Sequence, residues 1–275
     1  MKFEIIVSLV ATMILSAILT PFVRKLAFRV GAIDKPNARR VNKVPMPTMG
    51  GLAIFLSYTF ATVFLLRFQI PTRQLWGVLA GECVIIATGI IDDIFELKPR
   101  QKVLGISIAA LVVYFAAGVK MSHLTIPFVG MVSLGWLSLP ITWIWILAIT
   151  NAVNLIDGLD GLATGVGIIA LSTMGITGLF FLNVANTFVG ISIFALVAAM
   201  IGFLPIIFFP ARIYLGDTGS LFIGFMMSVF SLYGLKKCHF YFVDHSGGDH
   251  GGTHYGYGVC NSSQNAESAA NFSRG

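Results

Sequence analysis

Residues 140–161, Pro-Ile-Thr-Trp-Ile-Trp-Ile-Leu-Ala-Ile-Thr-Asn-Ala-Val-Asn-Leu-Ile-Asp-Gly-Leu-Asp-Gly, join an apolar run to a group of polar side chains. Asn154, Asp157 and Asp160 follow one another at three-residue spacing, which places neighbouring members near one face of a helix. Carboxylates beside hydrocarbon are costly, and those that occur commonly have a functional role. The stretch therefore predicts a membrane helix that leads into a polar site.

The composition of the whole chain supports a membrane protein. It has 275 residues, of which 56% are hydrophobic and 11% charged, whereas a soluble domain has about 25% charged residues. The apolar runs are continuous and do not alternate, which indicates helices and not a barrel. We predict an all-α, polytopic bundle of about eight transmembrane helices, at 3–23, 50–67, 75–91, 103–118, 140–155, 162–182, 187–209 and 218–235.

The distribution of basic residues predicts the orientation of these spans. With the N-terminus outside, the cytoplasmic segments 24–49, 92–102 and 210–217 carry eleven Lys and Arg residues, against four in the outer segments before residue 236. Cytoplasmic loops are enriched in Lys and Arg, so the net charge of +6 is read as topology and not as a nucleic-acid site. We predict a multi-pass protein of the cell membrane whose acidic clusters lie at the cytoplasmic face.

Two segments depart from the helical pattern. The outer segment 119–139 consists of short apolar runs broken by proline and glycine, which favours a small β-hairpin. Residues 1–235 form the predicted membrane domain, and 236–275 are a tail rich in His and Gly. For this tail we expect disorder, with a weak metal-binding tract and an out-of-frame translation as alternatives.

Three polar clusters precede or follow predicted spans at the same membrane face, so one convergent site is expected. They are Asp92-Asp93, the set Asn154, Asp157 and Asp160, and Asp217 within Tyr-Leu-Gly-Asp-Thr-Gly-Ser. Thr218 and Ser220 are interpreted as caps of the helix that follows. Oxygen ligands of this type suit a hard cation such as Mg²⁺ together with substrate phosphates. The alternative for each cluster is an ordinary solvated helix end.

Segment 45–51, Pro-Met-Pro-Thr-Met-Gly-Gly, precedes the second span, and its prolines and paired glycines predict an ordered turn. The nearby Arg39, Arg40 and Lys43 are either lipid-headgroup ligands or topology signals.

Taken together and in this order, the segment 45–51, Asp92-Asp93, Asn-Ala-Val-Asn-Leu-Ile-Asp-Gly-Leu-Asp-Gly-Leu-Ala and Gly-Asp-Thr-Gly-Ser resemble the polyprenyl-phosphate N-acetylhexosamine-1-phosphate transferases, of the glycosyltransferase 4 type. The resemblance covers about residues 1–235. It is strongest to Gram-positive undecaprenyl-phosphate N-acetylglucosaminyl 1-phosphate transferases, which begin the synthesis of wall teichoic acid or related polysaccharides.

The resemblance implies a reaction and assigns residues to it. N-acetylhexosamine 1-phosphate, with N-acetylglucosamine as the expected sugar, passes from a UDP-sugar to undecaprenyl phosphate, and UMP leaves. The family requires Mg²⁺, with Mn²⁺ as an alternative, and a homodimer is a candidate assembly. The catalytic candidates are Asp92 and Asp93; Lys102, Asp157 and Asp160 are candidates for substrate binding, and Asn154 and Asp217 for binding the metal.

Two departures from the family pattern affect this expectation. Relatives continue through a further pair of spans with a His-x-His-His-Arg-like motif between them, which is absent here. We therefore expect a chain that is truncated or frame-shifted after about residue 235, with inactivity through this loss as the alternative to an active transferase. Asn42 also stands where many relatives have His.

Two other functions remain as alternatives. A membrane transporter would use the intramembrane Glu82 and predicts polar residues across both leaflets. An intramembrane prenyltransferase would use two similar Asp-rich repeats, which the dissimilar clusters do not provide.

Overall fold

The computed structural model describes residues 3–34, 45–67, 70–126, 130–181, 187–208, 211–235, 239–242 and 258–261. Eight α-helices make up the bundle within these residues. They are α1 (Phe3–Val30), α2 (Gly51–Phe60), α3 (Thr72–Phe95), α4 (Pro99–Val112), α5 (Ser138–Ile156), α6 (Leu162–Ile176), α7 (Thr187–Ile207) and α8 (Gly216–Leu235).

Three helices end in a π-helical turn, at Ala61–Leu65 after α2, Val113–Ala117 after α4 and Thr177–Phe181 after α6. Five helical stretches are long and apolar enough to cross a membrane by length and composition, and Gly51–Leu65 is a shorter apolar helix. The five are Phe3–Val30, Pro99–Ala117, Gly135–Ile156, Leu162–Leu179 and Phe188–Ile207. The predicted all-α membrane bundle is confirmed, although α1 continues to Val30, where the sequence predicted a loop from residue 24.

Three short antiparallel pairs of strands accompany the helices. Strand β1 (Ile33–Asp34) pairs with β2 (Met46–Pro47), and β5 (His239–Phe242) pairs with β6 (Gly258–Asn261). Strand β3 (His123–Ile126) pairs with β4 (Gly130–Ser133), from His123 opposite Ser133 to Ile126 opposite Gly130. This third pair confirms the hairpin predicted at 119–139. Most of the tail 236–275 lies outside the described residues, so its disorder stays a prediction.

Helix α8 lies at the centre of the bundle and packs against α2, α3, α5 and α6. Its apolar side chains are fully buried at Leu221, Phe222, Phe225 and Met226, whereas α1 exposes Ile14, Ile18 and Phe22 on its outer side. Burial of the largest side chains around one helix fixes that helix against its neighbours. Apolar side chains that face outward are expected of a bundle surrounded by lipid.

Small residues bring α1 and α7 into close contact. Ser8, Thr12, Ser16 and Thr20 are buried on one side of α1, and a Cβ atom at Gly202 of α7 would lie 2.1 Å from the Met13 carbonyl oxygen. Close approach through small residues is a common means of helix association in membranes.

The helices place the acidic clusters at one end of the bundle. Helix α3 runs toward Asp92, α4 starts near Lys102, α5 runs toward Asn154, and α8 starts near Asp217. Strands β3 and β4 follow α4 and precede α5, so the hairpin lies at the opposite end.

Candidate active site

Lys102 stands between two carboxylates that are far apart in sequence. Its Nζ atom lies 2.6 Å from Oδ2 of Asp92 and 2.8 Å from Oδ1 of Asp217. It also donates a hydrogen bond of 3.4 Å to Oδ1 of Asn154. The ammonium group neutralises part of the negative charge that α3 and α8 bring together. The predicted convergence of the polar clusters is confirmed for these four residues.

Asn154 fixes the orientation of Asp217 from the end of α5. Its Nδ2 atom donates hydrogen bonds to Oδ1 of Asp217 and, at 2.8 Å, to Oγ of Ser220. Asp217 and Ser220 are three residues apart on α8 and therefore share a face. The interpretation of Ser220 as a helix cap is wrong, because α8 already begins at Gly216 and Ser220 lies within it.

Asp93 binds the N-terminus of α8. Its Oδ1 accepts the backbone N–H of Asp217 at 2.9 Å, and its Oδ2 accepts the backbone N–H of Thr218 at 3.1 Å. The Thr218 hydroxyl donates to the same Oδ2. A carboxylate at this position satisfies helix N–H groups that would otherwise lack partners and interacts well with the helix dipole. Asp93 therefore acts as the cap that the sequence assigned to Thr218, and it supplies that cap from α3.

Glycines at the contacts of α8 allow this arrangement. A Cβ at Gly89 of α3 would lie 2.4 Å from Cα of Thr218, and one at Gly216 would lie 2.7 Å from either carboxylate oxygen of Asp93. Gly216 also has a φ of 74°, a left-handed conformation that glycine adopts without strain. A side chain at either glycine would separate Asp93 from the helix that it caps.

The turn before α2 also contacts the start of α8. Gly50 and Gly51 donate their backbone N–H groups to the carbonyl oxygens of Tyr214 and Leu215, each at 2.9 Å, and Tyr214 N–H donates to Pro47 at 2.9 Å. This confirms the ordered turn predicted for segment 45–51. The residues Arg39, Asn42 and their basic neighbours at 40 and 43 lie outside the described residues.

Asp157 and Asp160 follow the end of α5 and differ in their relation to the cluster. Burial, followed by the negative charges of Asp217 and Asp93, raises the pKa of Asp157 to about 7. Asp160 is half-buried, and among the described residues it makes no hydrogen bond or ion pair with the cluster. Asp157 thus shares the electrostatic field of the site, whereas the role of Asp160 stays a prediction.

The carboxylate oxygen of Asp92 that does not contact Lys102 accepts a hydrogen bond from the segment after α3. Its Oδ1 accepts the backbone N–H of Leu97 at 2.8 Å, and its side chain is 4% exposed. Glu96, between them, has a left-handed φ of 50°. The turn thereby holds the Asp92 carboxylate toward Lys102.

The oxygen donors of the cluster suit Mg²⁺ in their chemistry. Carboxylate and amide oxygens are ligands of hard cations, and the Lys102 ammonium already marks a position between them where positive charge is stabilised. Among the described residues, no group of three or more His, Cys, Asp or Glu side chains is arranged to hold a metal. A site with one or two protein carboxylates still fits Mg²⁺, which commonly completes its coordination with water and substrate phosphate.

Residues 75–235, which include every member of this cluster, match the family described as glycosyl transferase family 4. The chain belongs to glycosyl transferase family 4. The resemblance drawn from the motifs is thus confirmed. The four residues that contact one another in the site all lie within the matched range.

Individual proteins similar to this chain align with most of its length. A probable undecaprenyl-phosphate N-acetylglucosaminyl 1-phosphate transferase of Bacillus subtilis is 40% identical over 235 residues, which are 85% of this chain and 64% of that protein. A phospho-N-acetylmuramoyl-pentapeptide-transferase of Halalkalibacterium halodurans is 35% identical, with coverage of 80% and 70%. A decaprenyl-phosphate N-acetylglucosaminephosphotransferase of Mycobacterium tuberculosis is 36% identical, with coverage of 78% and 58%.

The chain therefore spans between 58% and 70% of the length of these three relatives. All three are named as transferases, so the transporter alternative finds no support in them.

Proposed function

We propose that this chain transfers N-acetylglucosamine 1-phosphate from a UDP-sugar to undecaprenyl phosphate at the cytoplasmic face of the cell membrane, in a multi-pass arrangement. The observation that carries the proposal is the Lys102 ammonium between Asp92 and Asp217, with Asn154 beside it. The names of the relatives support the lipid acceptor and the sugar phosphate. The polymer is a cell-wall polysaccharide or a teichoic acid.

The reaction is a displacement at phosphorus. An oxygen of undecaprenyl phosphate forms a bond to the β-phosphorus of UDP-N-acetylglucosamine. The bond from that phosphorus to the bridging oxygen breaks, and the bridging oxygen leaves with UMP. Two anionic substrates must approach each other, so positioning and neutralisation of charge provide most of the catalysis.

The cluster supplies these two requirements through its own side chains. The Lys102 ammonium is a fixed positive charge at the position where the diphosphate would lie, and Asp92 and Asp217 hold it in place. Asp93 fixes the start of α8 and hence the backbone that carries Asp217. Asp157, which shares the electrostatic field of the cluster, and Asp160, three residues further along the chain, are the proposed contacts of the nucleotide-sugar.

Mg²⁺ is the proposed cofactor, with Asp217 and the carbonyl oxygen of Asn154 as its ligands. When bound, it would neutralise charge on the diphosphate and on the departing UMP. The catalytic role of Asp92 is proposed on the same basis, namely its contact with Lys102. Both carboxylate oxygens of Asp93 bind the start of α8, so the contribution proposed for Asp93 is to position Asp217, and its catalytic role stays a prediction. A homodimer remains a candidate assembly.

The proposal is tested in membranes that contain this chain, supplied with UDP-N-acetylglucosamine, undecaprenyl phosphate and MgCl₂. Release of UMP and formation of a lipid-linked sugar are measured together. We expect Lys102→Gln to lower the rate about 100-fold or more, as removal of a group that stabilises developing charge commonly does. The matched control is Lys120→Gln, because Lys120 is exposed at the opposite end of the bundle and should leave the rate unchanged.

Other outcomes would count against the proposal. No UMP release by the unmodified chain excludes the activity for this chain. Equal rates for Lys102→Gln and Lys120→Gln would show that the cluster takes no part in the reaction.

A further inference from the structure

A second polar site lies at the end of the bundle remote from Asp217. A cavity of about 30 Å³ lies between the later part of α2, the first half of α3, the start of α7 and the later part of α8. Its polar lining consists of Tyr58, Thr62, Gln74, Glu82, Ser192 and Tyr233. Glu82 and Asp92 are ten residues apart on α3, or about 15 Å along the helix, so the cavity is separate from the acidic cluster.

Glu82 is the charged group of this cavity. It is 2% exposed, and none of the described residues that line the cavity is Lys, Arg or His. An isolated carboxylate in an apolar interior is very costly unless it gains a positive partner or a proton. Acids within membrane helices are accordingly functional candidates by default, and the proposed transfer reaction makes no use of Glu82.

The remaining polar groups provide oxygen atoms around this carboxyl. The hydroxyls of Tyr58 and Ser192 form a hydrogen bond, and Tyr58 interacts electrostatically with Glu82 and Tyr233. The Oε1 atom of Gln74 is buried without a hydrogen-bond partner among the described residues. A buried carbonyl oxygen that lacks a donor calls for a ligand.

The size and charge of the cavity define the class of ligand. A single water needs about 10–15 Å³ of such space, so the cavity volume of about 30 Å³ has room for a small ion with a water. Carboxylate, hydroxyl and amide oxygens favour hard cations over metals that prefer nitrogen or sulfur. One carboxylate balances one positive charge, whereas divalent Ca²⁺ and Mg²⁺ sites commonly use more carboxylates or substrate phosphates.

We propose that this cavity binds a monovalent cation of the Na⁺ or K⁺ class, with Glu82 as the charged ligand and the oxygens of Gln74 and Ser192 as neutral ligands. The bound ion ties α3 to α7 at the end of the bundle away from the acidic cluster. Because a ligand that binds only the folded protein stabilises it, the ion should raise the melting temperature, and the rise should grow with the logarithm of the ion concentration once that exceeds the Kd.

The test uses thermal unfolding of the full chain purified in detergent. NaCl or KCl is raised to about 300 mM, with ionic strength held constant by N-methylglucamine chloride, so that only the identity of the cation changes. We expect a rise in Tm of about 3–6 °C at the highest concentration with at least one of the two metal ions. Glu82→Gln, which keeps the shape of the side chain, should abolish that rise.

Two further variants make the result specific. Glu4→Gln removes an equal charge from an exposed position in the first turn of α1 and should retain the full response. Ser192→Ala should shift the dependence of Tm on ion concentration to about 3–10-fold higher concentrations, as expected for the loss of one hydrogen-bonding ligand. It tests the site even if Glu82→Gln does not fold. The proposal is overturned if the unmodified chain responds equally to N-methylglucamine and to the metal ions. It is also overturned if Glu82→Gln keeps the full response or if Ser192→Ala titrates as the unmodified chain does.

Discussion

Asp157 is an acid whose charge depends on its burial and on the neighbouring acids of the cluster. It lies just after α5, and burial together with the charges of Asp217 and Asp93 raises its pKa to about 7. An unfolded chain has an Asp pKa of about 3.9. The carboxyl is therefore neutral in the folded protein at mildly acid pH, where it would be charged in the unfolded chain.

This difference predicts a pH-dependent stability with a definite sign. A raised folded pKa contributes stability that is fully present below a pH of about 4, and this contribution is lost as the pH rises through about 7. In Asp157→Asn the side chain stays neutral, so the fall in Tm over this window should become shallower than in the unmodified chain. Thermal unfolding in detergent from about pH 4 to 8 measures the difference between the two, with Glu4→Gln as the control for an exposed acid. Parallel pH profiles for the unmodified chain and Asp157→Asn would contradict the assignment.

Single residues show where sequence reasoning worked and where it did not. Spacing and the positive-inside pattern were enough to place Asp92, Asn154 and Asp217 at one end of the bundle. The capping role of Asp93 was missed because its partners, the N–H groups of Asp217 and Thr218, lie more than a hundred residues away. Only the packing of α3 on α8 brings them together. Sequence rules for helix caps consider residues next to the helix start and not a side chain from a distant helix.

At the level of elements, α8 depends on glycines that let neighbouring backbones approach. A Cβ at Gly51 of α2 would lie 2.0 Å from Cα of Gly219. Backbone atoms cannot rotate away as a side chain can, so α2 and α8 would have to move apart. The turn 47–51 would then lose its hydrogen bonds to Tyr214 and Leu215.

The predicted consequence is a large loss of stability for Gly51→Ala, of about 3 kcal/mol. Overpacking typically costs about 1–3 kcal/mol, and the upper end is expected here because the contact joins two backbones. The matched control is Gly165→Ala in α6, where an added Cβ meets nothing within 4 Å. Because alanine favours helix over glycine, that control should be neutral or more stable by about 0.5–1 kcal/mol. Unfolding of both variants in detergent gives the comparison. Equal behaviour of the two variants would show that α2 and α8 are not in contact as described.

Elements were easier to predict than their ends. Each of the eight predicted spans overlaps a helix among the described residues, because hydropathy alone identifies an apolar run. The ends are set by contacts that hydropathy does not report, as when α1 continues through its basic residues to Val30, or α8 starts at Gly216 where Asp93 caps it. The hairpin β3–β4 was predictable because turn residues separate two short apolar runs.

At the scale of the whole molecule, the two ends of the bundle differ in chemistry. One end brings together Asp92, Lys102, Asn154 and Asp217, and the other carries the hairpin β3–β4 and the cavity around Glu82. A UDP-sugar is a cytoplasmic substrate, so the proposed function requires the acidic end to face the cytoplasm. The bias of basic residues predicts the same orientation independently.

This orientation is testable by labelling single cysteines in intact cells. The background replaces Cys83, Cys238 and Cys260 with serine, and then Lys120→Cys or Arg100→Cys is added. Lys120 precedes the hairpin, and Arg100 lies in the first turn of α4 beside the cluster; both are exposed. A maleimide that cannot cross the membrane should label Lys120→Cys in intact cells, and Arg100→Cys only after the membrane is made permeable. Labelling of Arg100→Cys in intact cells, with protection of Lys120→Cys, would place the acidic cluster outside the cell, where a UDP-sugar could not reach it. The proposed transferase function would then fail together with the predicted topology.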